Sequence, residues 1–131
     1  MGHKYLEELE LYEPLDNYIP PDDERRPIWE KEREVYGFDS RETWNLDHAF
    51  YLWLYEHLRM YQEKASEIVD LHYHKFTFKG ITFSQIELID EILTRLRFYF
   101  SERYDDFDER DIAFVKEIAE IWAIVLPAMW W

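Results

Sequence analysis

A chain of 131 residues fits a single domain, and 25 aromatics (six Trp, ten Tyr and nine Phe) let even a small domain bury a large area, which argues against wholesale disorder. Lys and Arg number 15 against 29 Asp and Glu; the formal charge of −14 argues against nucleic-acid binding by counterion release and against anionic membrane surfaces. Cysteine is absent, which excludes disulfides, thiolate metal sites and cysteine nucleophiles and fits a reducing compartment.

Residues 1–26 read as an acidic arm, with eight acidic and three basic residues and no sustained period; no secretory signal pattern opens it. Four of the five prolines lie between positions 14 and 27. Its apolar residues, among them Tyr5, Leu6, Leu9, Tyr12 and Tyr18, are too many for a solvated tail, so part of the arm is expected to pack on the body or on a partner. Residues 27–131 read as one helical domain. Pro27 suits the first position of a short charged helix reaching Tyr36, where its missing N–H needs no partner, and Gly37 stops that helix.

Asp39 with Glu42 three residues later reads as a capping box, and Asn45 as a second cap before a long helix. Through about residue 65 that helix sets Leu46, Phe50, Trp53, Leu54, His57, Leu58 and Tyr61 on one face, which is taken as its core stripe. Residues 72–83 switch to alternation. A Lys79-Gly80 loop would pair Phe78 with Ile81, Thr77 with Thr82 and Phe76 with Phe83, a β-hairpin whose apolar face must lie on the helices.

Ser84 with Glu87 is a capping box opening a third helix to about residue 102, with Ile86, Ile89, Leu93, Leu96 and Phe100 inward and Phe98 among the outward residues. Acidic residues 105–111 introduce a last helix, where negative charge suits the N-terminal end of the helix dipole. Ile112, Val115, Ile118, Ala119, Trp122 and Leu126 are its expected core face. The final eleven residues, Ile121 to Trp131, carry no charge; they are too few to span a bilayer, and are expected to be buried within the domain or against another chain. The fold class is therefore mainly α: a bundle of three main helices and a short N-terminal helix, with one β-hairpin (about 72–83) packed on it.

The run Tyr36-Gly37-Phe38-Asp39-Ser40-Arg41-Glu42-Thr43-Trp44-Asn45-Leu46-Asp47, the aromatic helix after it and the closing Leu126-Pro127-Ala128-Met129-Trp130-Trp131 resemble a family of small uncharacterised proteins of tailed bacteriophages and prophages. The likeness runs from about Tyr36 to the C-terminus. It implies a viral origin and action in the cytoplasm of a bacterial host. It carries no activity, so it assigns no catalytic residue.

Chemical signatures are sparse. His72-x-His74 puts two imidazoles on one face of the expected strand, with Asp70 or Glu67 as an oxygen ligand; half-buried histidines at the open end of the hairpin explain the pair as well, and zinc needs three or four ligands. His57 in mid-stripe reads as a hydrogen-bonded core histidine, with a pocket histidine as the alternative. Asp47 and His48 read as capping and solvent-exposed residues. Glu-x-x-His, His-Glu-x-x-His, the phosphate loop and the dinucleotide fingerprint do not occur, and 105–111 lacks the glycine of an EF-hand, so no cofactor is expected.

The remaining signal is charge beside aromatic anchors. Residues 1–26 carry −5 and residues 101–111 carry −4. Asp105, Asp106 and Asp108, outward Phe98, terminal Trp130 and Trp131, and Tyr12 and Tyr18 of the arm are the candidate interaction residues. The leading expectation is a non-enzymatic binding protein, in its sharper form an acidic inhibitor of a host nuclease or defence complex. An ordinary solvated acidic surface is the bland counterpart. The alternatives are a structural protein that self-associates through 121–131 or joins a virion, and an enzyme or small-ligand binder with an aromatic pocket around His57, His72 or His74.

Overall fold

Four helices and one hairpin make up the computed structural model, which describes residues 2–10, 19–101 and 106–131. Helix α1 covers Arg26–Tyr36, with Pro27 in its first turn. Gly37 closes it in the left-handed region at φ 84°, where a Cβ would be strained, and returns its N–H to the Arg33 carbonyl at 2.9 Å. A 3-10 turn, Ser40–Thr43, leads into the long helix α2, Leu46–Ala65. Asp39 does cap this turn, but the expected box with Glu42 gives way to a different arrangement. The Glu42 N–H is already satisfied by the Asp39 carbonyl at 3.2 Å, and the Asp39 carboxylate takes the Arg41 N–H instead. Asn45 makes no side-chain cap on α2.

The hairpin has the expected register. Strands β1, Lys75–Phe78, and β2, Ile81–Ser84, run antiparallel with Phe76 opposite Phe83, Thr77 opposite Thr82 and Phe78 opposite Ile81. Lys79 and Gly80 both have positive φ, 51° and 76°, the signature of a two-residue turn that matches the strand twist. The ladder starts three residues later than expected, because residues 72–74 lie in a turn. Phe78 enters the core, Phe76 and Phe83 pack beside it, and Ile81 stays exposed. Ser84 then joins Glu87 in the reciprocal box predicted from sequence: the Glu87 N–H donates to Ser84 Oγ at 3.2 Å and the Ser84 N–H to the Glu87 carboxylate at 2.9 Å.

Helix α3, Gln85–Ser101, is the central element, packed between α2 and α4, Glu109–Val125. This position explains why Leu88, Ile89, Ile92, Leu93 and Leu96 are all fully buried although they span a wide arc: a helix covered on two sides needs apolar residues on both. Asp108 caps α4 and forms a capping box with Asp111. The inward residues of α4 are Val115, Ile118, Ile121 and Val125, with Trp122 half-buried; the expected Ile112, Ala119 and Leu126 are exposed. Its buried face is therefore turned toward Ile121 relative to the face read from sequence, because Val115, Ile118, Ile121 and Val125 are the residues that join the core with α3.

The start of the acidic arm belongs to this core. Tyr5, Leu6 and Leu9 are buried against α2 around a short 3-10 turn, Leu6–Glu8. The Tyr5 hydroxyl donates to Glu63 and the Tyr55 hydroxyl to Glu8, both at 2.9 Å. Arg59 bridges Glu8 at 2.8 Å and Glu63 at 3.2 Å, and holds the Glu8 carboxyl below its ordinary range. Farther along, the Arg26 guanidinium donates to the carbonyls of Ile19 at 2.6 Å and Pro20 at 2.8 Å, which ties the arm's exit to α1.

Candidate interaction surface

The long helix carries two apolar rows, and only one is inside. Leu54, Tyr55, Leu58 and Ala65 are buried, with Tyr51 and Tyr61 beside them. Leu46, Phe50, Trp53 and Met60 are exposed, Trp53 by 46%. His57 is exposed as well, so the expected core histidine is a surface residue. The correction has a simple geometric cause: Leu58 and His57 are consecutive, hence about 100° apart on the helix, and only the Leu58 side meets α3.

The outer row is ordered by ring stacking. Phe50 lies nearly parallel to Trp53, with centroids 6.3 Å apart and planes at 15°, and Trp53 stacks on His57 at 4.1 Å and 20°. His57 Nδ1–H donates to the Trp53 carbonyl at 2.7 Å, which fixes the imidazole over the indole. These signals escaped sequence reading because the residues fit a core stripe equally well.

The C-terminus forms a second exposed aromatic group. After a 3-10 turn at Leu126–Ala128, Met129 packs against the core while Trp130 and Trp131 are exposed by 67% and 58%. Burial of these tryptophans within the chain, one of the two expected outcomes, is not what the fold provides. Their backbone is nevertheless held: the Tyr61 hydroxyl donates to the Trp130 carbonyl at 3.2 Å, and Gln85 donates to the Ala128 carbonyl at 3.4 Å. Fixed main chain with outward rings lowers the entropy lost when such side chains are covered.

Between α1 and α2 the Trp-containing turn is locked by charge. Asp39, 2% exposed, receives the Arg41 guanidinium through two N–H groups at 3.0 and 2.7 Å and the Arg33 Nε at 2.7 Å. Arg41 in turn lies over the Trp29 ring at 4.4 Å, Arg25 over the same ring at 5.0 Å, and Trp44 meets Trp29 edge-on at 5.8 Å. Hydrogen bonds from Arg41 and Arg33 hold the Asp39 carboxyl down at about 2, against an ordinary 3.8.

Other candidate residues fall differently. Phe98, expected outward, is half-buried; it stacks on Phe107 at 5.3 Å and meets Phe114 edge-on at 5.4 Å, because α4 folds back over this side of α3. Asp106 is exposed, whereas the Asp108 carboxylate is engaged in capping α4. Asp105, Tyr12 and Tyr18 lie outside the described residues. His72 and His74 are exposed in the turn before β1 instead of on a strand face, and among the described residues no three His, Cys, Asp or Glu side chains gather as a metal site would require.

Arg95, which the sequence did not flag, is buried among Glu91 at 2.6 Å, Glu117 at 3.6 Å and the Phe114 ring. Glu117 also receives Lys79 at 2.6 Å, so this cluster fastens the hairpin turn to α4.

His48 is half-buried, not solvent-exposed as expected: its Nδ1 shares a hydrogen bond with the Tyr99 hydroxyl at 3.1 Å, and its ring meets Phe100 edge-on at 5.7 Å. Burial pushes its pKa below the ordinary 6.5, opposed by the charge of Asp47. Below 6.5 the unfolded chain binds a proton that the folded chain resists. Stability from the neutral ring is thus full above about 6.5 and is lost as pH falls through the lower folded-state value. The expected result is a midpoint of thermal unfolding that drops from pH 7.5 to 5.5 in the parent chain and drops less in His48→Gln, measured by circular dichroism.

No match to this chain emerges from comparison with protein-family models, with characterised proteins or with solved structures.

Proposed function

We propose that this chain is a non-enzymatic binding protein whose partner is a basic protein. One observation carries the reading: Trp44, Phe50, Trp53, Trp130 and Trp131 are all exposed on a chain of charge −14. Large aromatics on the surface cost solubility and supply the anchors that interfaces use, while net negative charge steers basic partners and repels acidic ones. The phage-like Tyr36–Asp47 turn and Pro-Ala-Met-Trp-Trp ending support a host-protein target in the bacterial cytoplasm, with inhibition of a nuclease or defence complex as the specific form. Affinity capture from bacterial lysate at low and high salt tests it. A specific partner released by salt is expected; no specific partner, or capture indifferent to salt, overturns the electrostatic form.

A second reading, self-association through 121–131, rests on the outward Trp130 and Trp131 beside exposed Leu126. Sedimentation at increasing concentration decides it: a monomer at all concentrations removes the reading, and a dimer lost in Trp130→Ala/Trp131→Ala supports it.

A further inference from the structure

We infer that the outer row of α2 is a docking face for an amphipathic, arginine-bearing helix of a basic protein; this deepens the binding function proposed above and rests on it. Leu46, Phe50, Trp53, His57 and Met60 follow one another by steps of four, three, four and three, the spacing of a coiled-coil seam. In a helical hairpin or bundle such a row is covered by a second helix. Here the other face of α2 already meets α3 and the arm residues Tyr5 and Leu6, and the row itself stays exposed. A strand or loop would not match the 3.5-residue repeat over the whole row.

Charge selects the kind of helix. Asp47 stands at the start of the row, and Glu56, which His3 meets at 2.9 Å, and Glu63, which Arg59 and the Tyr5 hydroxyl engage, follow one edge, with Lys64 at the far end; the charge that selects the partner is therefore the chain's net −14 rather than open carboxylates along the row. A second copy of this chain would bring the same carboxylates and a further −14 to the contact, and a nucleic acid would bring phosphates to them; a basic helix meets complementary charge. Arginine is favoured over lysine because its planar, weakly hydrated guanidinium stacks on aromatic rings. The same contact occurs inside the fold, where Arg41 covers Trp29 and Arg95 covers Phe114, each at 4.4 Å. The stacked Phe50, Trp53 and His57 rings offer such surface along the outer row.

The test titrates the isotopically labelled full-length protein with a synthetic amphipathic helical peptide that carries leucines along one face and arginines along its borders. Saturable resonance shifts centred on residues 46–60 are expected. Trp53→Ala should weaken binding by about tenfold or more, a central aromatic anchor being lost, and Tyr73→Ala, an exposed aromatic in the turn before β1, should not. Replacing the peptide's arginines with glutamates should abolish saturation. Because Trp53 is exposed, its alanine variant should melt with the parent, so lost binding is separable from lost fold. Absence of saturation, equal binding by Trp53→Ala, or shifts centred on 126–131 overturns the assignment, as does a dimer of the free chain that Met60→Asp dissolves. Salt-sensitive lysate capture that survives Trp53→Ala/Met60→Ala leaves the binding function standing and removes this face; absence of capture by the parent chain counts against the function itself.

Discussion

Asp39→Ala is expected to lower the unfolding free energy by about 3–5 kcal/mol, the range for removing one partner of a buried ion pair. Asp39 and Arg41 are 2% and 4% exposed as side chains, and the carboxylate answers both guanidinium N–H groups of the fork. Its removal takes both guanidinium hydrogen bonds to Asp39 from Arg41 beneath Trp29, takes one from Arg33 and uncaps the turn between α1 and α2. Asp39→Asn keeps the shape without the charge and should fall between alanine and the parent. Replacing both partners, as in Asp39→Ala/Arg41→Met, should recover part of the loss, because the buried guanidinium goes together with the carboxylate that answered it. Urea unfolding of the four proteins measures this cycle. Stability from the ionised carboxylate is full above the ordinary 3.8 and is lost as pH falls toward about 2, so the gap between parent and Asp39→Asn should narrow in acid.

Leu6→Ala should cost about 2–5 kcal/mol, the range for a fully buried leucine, against a total stability of about 5–15 kcal/mol for a domain of this size. The residue lies in the acidic arm, where a solvated tail would tolerate the change without effect. Instead Leu6 is 2% exposed within the core that contains Leu54, Tyr55 and Leu58. Leu46→Ala provides the contrast. It heads the predicted core stripe of α2 yet is exposed, and its replacement should change the unfolding free energy by less than about 0.5 kcal/mol. Opposite magnitudes in the two variants would contradict the assignment of the inner and outer rows.

Local chemistry explains which parts were legible. Gly37 ends α1 because it tolerates a left-handed φ, Ser84 and Glu87 start α3 by exchanging hydrogen bonds, and Lys79-Gly80 sets the hairpin register; each depends on residues only a few positions apart. Where a cap had two partners within reach, spacing pointed to the wrong one. Asp39 is spaced to form a box with Glu42 but serves Arg41 and Arg33, the latter six residues back on α1. His48 was misread for a similar reason: Tyr99 and Phe100, which half-bury it, are about fifty residues away in the chain.

The candidate surface shows the same limit more sharply. Periodicity reports that a helix is apolar on a face; it does not report what covers that face. On α2 the row through Leu54 and Leu58 and the row through Phe50 and Trp53 are both apolar, and merging them gave one broad stripe. Phe98 failed in the opposite sense, because α4 covers a side of α3 that its own neighbours marked as polar.

By itself, the sequence determined the main elements, the Gly37 stop, the Ser84–Glu87 box, the hairpin register and the excess of acid and aromatic residues, all of which follow from local geometry and composition. Only the tertiary structure decided which apolar row of α2 faces α3, that Tyr5 and Leu6 join the core, and that Trp53, His57, Trp130 and Trp131 point outward. The reason is physical: burial depends on both partners of a contact, and those partners lie tens of residues apart in the chain.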